Sequence, residues 1–223
     1  MLYRVDSFFD WFDIPASARL KAEQMSDMAC KAAKGMMHLN DYLALAAILL
    51  HYKPKLIFEI GTYKGVTSDL FLQLLPDCEV VSIAYVRSFL SFLRKNYNNS
   101  ELSRKDVNSY IGIERRCRFH QLYGDSHKLT PDTLREKFGL FDLVFIDGDH
   151  CIDGNRQDTE LAKSILTDYG IIAWHDANPK EKYTDVRFYL EQELPMHAIA
   201  TMDNYIGGIA CWSKEIENRT CSL

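Results

Sequence analysis

The sequence predicts an α/β fold in which a mostly parallel sheet is covered by helices on both faces. Five short apolar runs lie between residues 56 and 174, and amphipathic stretches of helical length separate them. Regular alternation of strand and helix is typical of a parallel sheet, because the connecting helices cover both of its faces. We therefore expect a doubly wound sheet of about seven strands, preceded by further helices.

The N-terminal part of the chain has a helical pattern. Between residues 15 and 35 apolar side chains recur at three- to five-residue spacing, which is the period of a helix face. A second helix is predicted over residues 42–52, with Asn40 or Asp41 as its cap and Pro54 after its end. We expect these helices to form a cap beside the sheet.

The remaining elements follow in chain order. The five strands are predicted at LIFEI (56–60), VVSIA (80–84), RFHQLY (118–123), DLVFI (142–146) and IIAW (171–174). Helices are predicted at 65–75, 87–98, 127–138, 154–166 and near 185–194. The chain then ends differently, because MHAIATM (196–202) and GGIACW (207–212) are joined by a short turn. This pattern predicts a hairpin, so the last strand should run antiparallel.

Length and composition limit the classes of function. The chain has 223 residues, which suits a single domain, 1–223, with a helical cap at 1–53 and a sheet core at 54–215. Its net charge of −5 argues against a nucleic-acid partner, since such proteins neutralise phosphates with Lys and Arg. The apolar run 43–50 is much shorter than the roughly 20 residues that a membrane span needs. We expect no membrane partner.

The cysteines bear on the cellular compartment of the protein, and an aromatic cluster bears on its assembly. The six cysteines are scattered without a C-x-x-C pair, which favours reduced thiols and a cytoplasmic location. The cluster FFDWF (8–12) has three interpretations, namely closing the core, covering the site as a lid, or packing between the subunits of a homodimer.

Ligands of an open parallel sheet bind at the carboxyl ends of its strands, so these ends are where function is expected. The first strand leads into a turn with glycines at Gly61 and Gly65, a G-x-x-x-G spacing that differs from the dinucleotide fingerprint. Glycines allow close approach of the backbone, and the following helix N-terminus favours an anionic group. The alternative is an ordinary pair of turn glycines.

The later strand ends carry polar side chains. Asp125 and Ser126 follow the third strand, where capping of the next helix is the alternative to ligand contact. The fourth strand ends in the segment 147–150, Asp-Gly-Asp-His, and the fifth ends in His175 and Asp176. An unperturbed histidine has a pKa near 6.5, which suits removal of a hydroxyl proton at neutral pH.

These motifs resemble a known family. The segment EIGTYKG (59–65) resembles motif I of class I S-adenosylmethionine-dependent methyltransferases, which have a Rossmann-like fold. The longer segment FEIGTYKGVTSDLF (58–71) is similar to cation-dependent O-methyltransferases of the catechol and caffeoyl-CoA type. IDGDH (146–150) is similar to natural-product-tailoring methyltransferases. The resemblance covers about residues 54–215 and implies S-adenosylmethionine as the cofactor.

The resemblance also implies roles for individual residues. It places Glu59, Gly61, Thr62, Tyr63, Gly65, Thr67, Asp125, Ser126 and Asp147 at the cofactor. It implies a divalent cation, Mg²⁺ or Mn²⁺, held by Asp147, His175 and Asp176. The imidazole shifts the preference of such a site toward Mn²⁺, Fe²⁺ or Zn²⁺, so the metal stays open. The position of His150 matches that of the lysine base in the catechol enzyme, and Asp147 with His150 would form the catalytic pair.

One position departs from the family pattern. The second strand ends in Ala84, where the family has a carboxylate that binds the ribose hydroxyls. Loss of a charged hydrogen bond costs about 1.5–3 kcal/mol of affinity. The expected function is methylation of a small-molecule hydroxyl. One alternative is a catalytically impaired binding or scaffold protein with this fold, and another is a glycosyltransferase that uses the D-x-D formed by Asp147 and Asp149.

Overall fold

The computed structural model describes residues 2–4, 14–33, 37–85, 106–178, 184–193, 198–200 and 208–214. The strands are β1 Leu2–Arg4, β2 Leu56–Ile60, β3 Glu79–Ala84, β4 Phe119–Tyr123, β5 Phe141–Ile146, β6 Leu166–Trp174, β7 Ala198–Ala200 and β8 Ala210–Trp212. The α-helices are α1 Ala16–Ala33, α2 Leu39–Tyr52, α3 Val66–Leu74, α4 Pro131–Phe138, α5 Ile152–Ile165 and α6 Thr184–Phe188. Short 3₁₀ turns lie at Ile113–Arg118 and Ser126–Lys128, and α6 continues as a π-helical turn, Tyr189–Glu193.

The strands form one eight-stranded sheet in the order β1-β7-β8-β6-β5-β2-β3-β4. The pairs from β6 through β5, β2 and β3 to β4 are all parallel. The last strand, β8, runs antiparallel to both β6 and β7. The predicted α/β class, the mostly parallel sheet and the antiparallel C-terminal strand are therefore confirmed.

The N-terminal segment contains a strand that the sequence did not predict. Residues Leu2–Arg4 form β1, which pairs in parallel with β7 at the edge of the sheet. The prediction that residues 1–53 are entirely helical was wrong at this point. A strand of three residues is too short for a periodic signal, and its pairing depends on a partner almost two hundred residues away, from Leu2 to Ala198.

The sheet separates two apolar cores because side chains alternate between its faces. On β5, Leu143 and Phe145 pack into one core with helices α2 and α3. Val144 and Ile146 pack into the other core with residues of α5 and α6. Burial of strands on both sides explains why they appear in the sequence as continuous apolar runs.

The start of α2 differs from the prediction in a way that affects the site. His38 is the N-cap, and its Nδ1 accepts a hydrogen bond from the backbone N–H of Asn40 at 3.2 Å. Neither Asn40 nor Asp41 is the cap. Asp41 instead lies in the first helical turn with its side chain fully buried toward the sheet.

Three predictions fall on residues that the structure leaves undescribed, namely the helix at 87–98, the aromatic cluster at 8–12 and the hairpin turn before residue 208. Among the described helices, none combines the length and the apolar character required to cross a membrane.

Candidate active site at the carboxyl ends of the strands

The glycine turn joins β2 to α3 and touches the end of β5. Gly61 has φ 107°, and a Cβ added there would lie 1.9 Å from the carbonyl oxygen of Asp147. Gly65, the N-cap of α3, has φ 80°. Both positions need glycine, the first for space and both for backbone conformation. The turn therefore lies directly against the loop that carries Asp147.

Glu59 lies beneath this turn and is 1% exposed. Its carboxyl accepts hydrogen bonds from the hydroxyls of Ser68 and Ser82. Burial raises the pKa of Glu59 to about 8, although these hydrogen bonds lower it. Glu59 is therefore protonated near neutral pH, and the floor of the turn is uncharged.

A chain of neutral polar groups extends from Glu59 across the sheet. Thr62 Oγ1 lies 2.6 Å from Ser82 Oγ, and the Gln121 amide donates to Thr62 Oγ1 at 2.9 Å. The Asn108 amide in turn donates to Gln121 Oε1 at 3.2 Å. Ser82, Gln121 and Asn108 were missed by the sequence analysis. Ser82 and Gln121 interrupt apolar strand runs, and this was the only signal that marked them.

Two further predicted cofactor residues lie at the turn. Thr67 is buried in the first turn of α3. Tyr63 has φ 44°, a left-handed conformation that is uncommon outside glycine, and its side chain is partly exposed. The carbonyl oxygen of Tyr63 accepts a hydrogen bond from Asn108 N at 3.2 Å, so residues 106–112 hold the turn from outside.

The end of β3 offers no polar side chain. Ala84 is buried, and the backbone N–H of Gly124 donates to its carbonyl oxygen at 3.0 Å. The next side chain, Tyr85, is 70% exposed. On the adjacent strand β4, Gln121 pairs with Ser82, and its side-chain amide donates to the carbonyl oxygen of Ser82 at 3.0 Å.

The segment after β4 uses its polar side chains to shape the backbone. Asp125 Oδ1 accepts from the backbone N–H of His127 at 3.1 Å, which is the capping arrangement that the sequence allowed. Ser126 Oγ donates to Asp158 Oδ1 at 2.8 Å, which ties the segment to α5. Burial raises the pKa of Asp158 to about 6.

Four charged side chains come together where β5 and β6 end. His175 Nδ1 lies 3.2 Å from Asp147 Oδ1 and 3.1 Å from Asp176 Oδ1. His150 Nε2 lies 2.7 Å from Asp176 Oδ2 and 3.7 Å from Asp147 Oδ1. The sequence predicted this group from two separate strand ends, and the parallel pairing of β5 with β6 brings them to one edge.

The four groups perturb each other's protonation. Burial lowers the pKa of His150, but hydrogen bonds to Asp147 and Asp176 outweigh it and raise that pKa to about 9. Burial also lowers the pKa of His175, but its charge interaction with Asp147 and its hydrogen bonds to neighbouring carboxylates outweigh burial and raise that pKa. Burial acts to raise the pKa of both carboxylates, yet the imidazoles hold it below its usual range. In this arrangement the carboxylates favour the charged forms of both imidazoles, and the imidazoles favour the charged forms of the carboxylates.

The backbone at Asp176 is also unusual. Its φ is 57°, and the residue is buried. Aspartate tolerates this left-handed region better than most residues, but such positions still cost on the order of 1 kcal/mol. The conformation directs both carboxylate oxygens inward, Oδ1 to His175 and Oδ2 to His150.

Asp149 has a different role from Asp147. Its Oδ1 accepts from the backbone N–H of Cys151 at 3.1 Å, and its carbonyl oxygen accepts from the amide of Asn155. Both bonds organise the start of α5. The two carboxylates of the D-x-D motif therefore act in different places, which argues against a shared ion between them.

The charged cluster suits a divalent cation. The end of β3, in contrast, lacks a side chain that would bind the ribose of a nucleoside cofactor. Asp147, His175 and Asp176 each offer one ligand atom, and these atoms lie within 4.8 Å of one another. Two carboxylates and an imidazole are a donor set for Mn²⁺, Fe²⁺ or Zn²⁺. The glycine turn fits the close approach of a cofactor, whereas the buried methyl group of Ala84 provides no partner for ribose.

Comparison with known proteins places this geometry in a family. The model of a family described as a methyltransferase domain matches residues 58–177, which include the glycine turn and all four residues of the charged cluster. No curated protein sequence matches the chain.

Solved structures with the same fold include methyltransferases. The SAH-bound methyltransferase PaMTH1 of Podospora anserina is 18% identical, with 90% of this chain and 89% of that chain covered and a TM-score of 0.55. The O-methyltransferase TomG of Streptomyces achromogenes, of tomaymycin synthesis and in complex with SAM, is 20% identical, with coverage of 89% and 90% and a TM-score of 0.54. At these identities the likeness concerns the fold.

Proposed function

The chain belongs to the methyltransferase-domain family, and on that premise we propose that it transfers a methyl group from S-adenosylmethionine to the hydroxyl of a small molecule. The observation that carries the proposal is the position of the charged cluster. Asp147 lies against Gly61 of the glycine turn, so a cofactor at the turn and a hydroxyl at the cluster would be neighbours. Placing two reactants side by side is a large part of what accelerates a transfer reaction.

The cofactor would occupy the crevice above the glycine turn. Its methionine end would meet the turn and its surroundings, formed by Glu59, Gly61, Thr62, Tyr63, Gly65 and Thr67. A neutral Glu59 suits this position, since the floor then adds no charge beneath the carboxylate of the cofactor. The adenine would lie toward Asp125 and Ser126.

The second reactant would bind at the cluster. A divalent ion held by Asp147, His175 and Asp176 would polarise the acceptor hydroxyl, and S-adenosylmethionine would provide the methyl group. We favour Mn²⁺ over Mg²⁺, because His175 replaces an oxygen ligand with an imidazole. Asp147 touches both halves of the site, which supports its assignment to the ion and to the cofactor region together.

His150 would take the proton of the hydroxyl at Nε2. While His150 is paired with Asp147 and Asp176 it is a cation and cannot accept a proton. It becomes a base when another positive charge occupies these carboxylates, because its raised pKa depends on them. His150 would therefore remove the hydroxyl proton of the acceptor only when the ion is bound at these carboxylates.

A second candidate function rests on Ala84. Without a carboxylate at the end of β3, the fold would serve as a binding or scaffold module that has lost catalysis. Titration of SAH into the purified chain distinguishes the two, with Mn²⁺ or with chelator present. Binding in the micromolar range supports the transferase, and no binding under either condition favours the scaffold.

The variant Ala84→Asp sharpens this experiment. If the crevice accepts the cofactor and lacks only the ribose bond, the variant should bind SAH about tenfold more tightly. A variant that binds no better than the wild type indicates that another group already binds the ribose hydroxyls. The homodimer, the cytoplasmic location and the single domain remain predictions from the sequence.

A further inference from the structure

We infer that Asp41 is a positioning residue of the proposed metal site, which fixes the ring of His175 so that Nδ1 faces the ion. The inference rests on the proposed function, because it assigns a role toward that ion. Asp41 lies on α2, outside the segment 58–177 that matches the family model. It therefore adds a part of the site that comes from the N-terminal helices.

The contacts of Asp41 are specific. Its side chain is 0% exposed, and Oδ2 lies 3.3 Å from His175 Nε2. Its other oxygen, Oδ1, accepts the backbone N–H of Gly208 at 2.8 Å. Asp41 is thus a buried carboxylate with one oxygen on the imidazole and the other on the segment that leads into β8.

The two nitrogens of His175 face opposite partners. Carboxylates face both nitrogens of His175. When an ion takes the place of the hydrogen at Nδ1, the bond to Asp41 keeps the other hydrogen on Nε2, because a carboxylate accepts hydrogen bonds. A neutral imidazole then has its free electron pair on Nδ1. That atom is the one near Asp147 and Asp176, at 3.2 and 3.1 Å. A carboxylate behind a histidine ligand commonly fixes the ring and its tautomer in this way.

The pairing also explains why Asp41 and His175 suit each other. A carboxylate at position 175 would present equivalent oxygens and would be repelled by a buried Asp41. An imidazole has two distinct nitrogens and needs a partner that selects one of them. We therefore treat Asp41 and His175 as a matched pair that provides one nitrogen ligand in a defined orientation.

Mn²⁺ titration of the full chain tests this role. Asp41→Asn keeps the shape of the side chain but has one acceptor oxygen for two donors, the backbone N–H of Gly208 and the N–H of His175. The amide N–H of the new side chain also favours the opposite tautomer of His175. The Kd for Mn²⁺ should rise about 10- to 100-fold. Asp69→Asn is the matched control, because Asp69 is also buried and also accepts a glycine N–H, that of Gly112 at 3.0 Å. The control should alter thermal stability without altering the Kd.

A spectroscopic measurement on the wild type tests the same role without depending on the folding of Asp41→Asn. For this measurement the protein is labelled with ¹⁵N-histidine and loaded with diamagnetic Zn²⁺. The ¹⁵N signals of His175 should then show a hydrogen on Nε2 and Zn²⁺ bound at Nδ1. His175→Gln identifies the signal by its loss. A hydrogen on Nδ1, or an unchanged Kd in Asp41→Asn, overturns the role of Asp41 while the metal site stands. A wild type that binds neither Mn²⁺ nor Zn²⁺ overturns both.

Discussion

The two sides of the candidate site differ in charge and in the groups that form them. The glycine-turn side consists of backbone in left-handed conformations above neutral groups, with a protonated Glu59 at its base. The side formed by β5 and β6 consists of ionised carboxylates and imidazoles in contact. Under the proposed function, the first side would recognise a ligand by shape, and the second by charge. Substitutions should therefore have separable effects, on cofactor fit or folding on one side and on ion binding and rate on the other.

The largest effect is expected on the charged side. Asp147→Ala removes a carboxylate that faces both imidazoles, so Mn²⁺ binding and methyl transfer should be lost together. Calorimetric titration with Mn²⁺ and a turnover assay provide the measurement. Asp149→Ala, in the same loop, should lower the stability of α5 and retain Mn²⁺ binding. Metal-dependent turnover by Asp147→Ala would disprove the site assignment.

The next effect separates chemistry from binding. His150→Ala should lower kcat by about 10²- to 10⁴-fold, which is the usual contribution of a general base. SAH affinity should stay the same, and Mn²⁺ should bind at least as tightly, since the competing imidazolium is gone. His120→Ala is the control. His120 pairs with Glu79 near the amino ends of β4 and β3, whereas the candidate site lies at the carboxyl ends of the strands. An unchanged kcat would give His150 a purely structural role.

On the glycine-turn side, the main test is steric. Gly61→Ala should lower the free energy of unfolding by about 3 kcal/mol, because its Cβ would collide with a backbone carbonyl. Gly139→Ala is the matched control. Its φ of 90° is similarly positive, but a Cβ there meets nothing within 4 Å, so we expect a loss of only about 1 kcal/mol. Urea denaturation compares the two, and equal losses would show that the contact with Asp147 is relaxed.

The final prediction concerns the charge of Glu59, whose effect on stability develops gradually with pH. Its pKa is raised in the folded protein to about 8 from 4.5, so the folded state binds the proton more tightly than the unfolded chain does. The resulting stability is fully present below pH 4.5 and is lost as pH rises through about 8. Between these values the wild type should lose about 1.4 kcal/mol per pH unit relative to Glu59→Gln, which cannot titrate.

Thermal unfolding measured across this pH window gives the comparison. Parallel curves for the wild type and Glu59→Gln would mean that Glu59 is ionised and that the floor of the turn carries charge. The shape-and-charge contrast between the two sides of the site would then be weaker than the structure indicates.

Local sequence patterns predicted the main part of this molecule. Apolar runs and helical periods determined the α/β class, the strand positions and the antiparallel last strand. The rule that parallel strands end at one edge was sufficient to bring Asp147 near His175 and Asp176. These predictions succeed because periodicity and strand direction are properties of contiguous residues.

Other features depended on contacts that no local pattern encodes. The strand β1 exists only through its partner β7, and Gln121 joins a network whose members lie on three strands and two loops. Asp41 resembles a helix cap in the sequence but faces a histidine 134 residues away. The sequence by itself determined which residue types reach the edge of the sheet. Only the tertiary structure decided which nitrogen of His175 faces Asp147 and Asp176, because the orientation of the ring depends on the partner that packing places behind it.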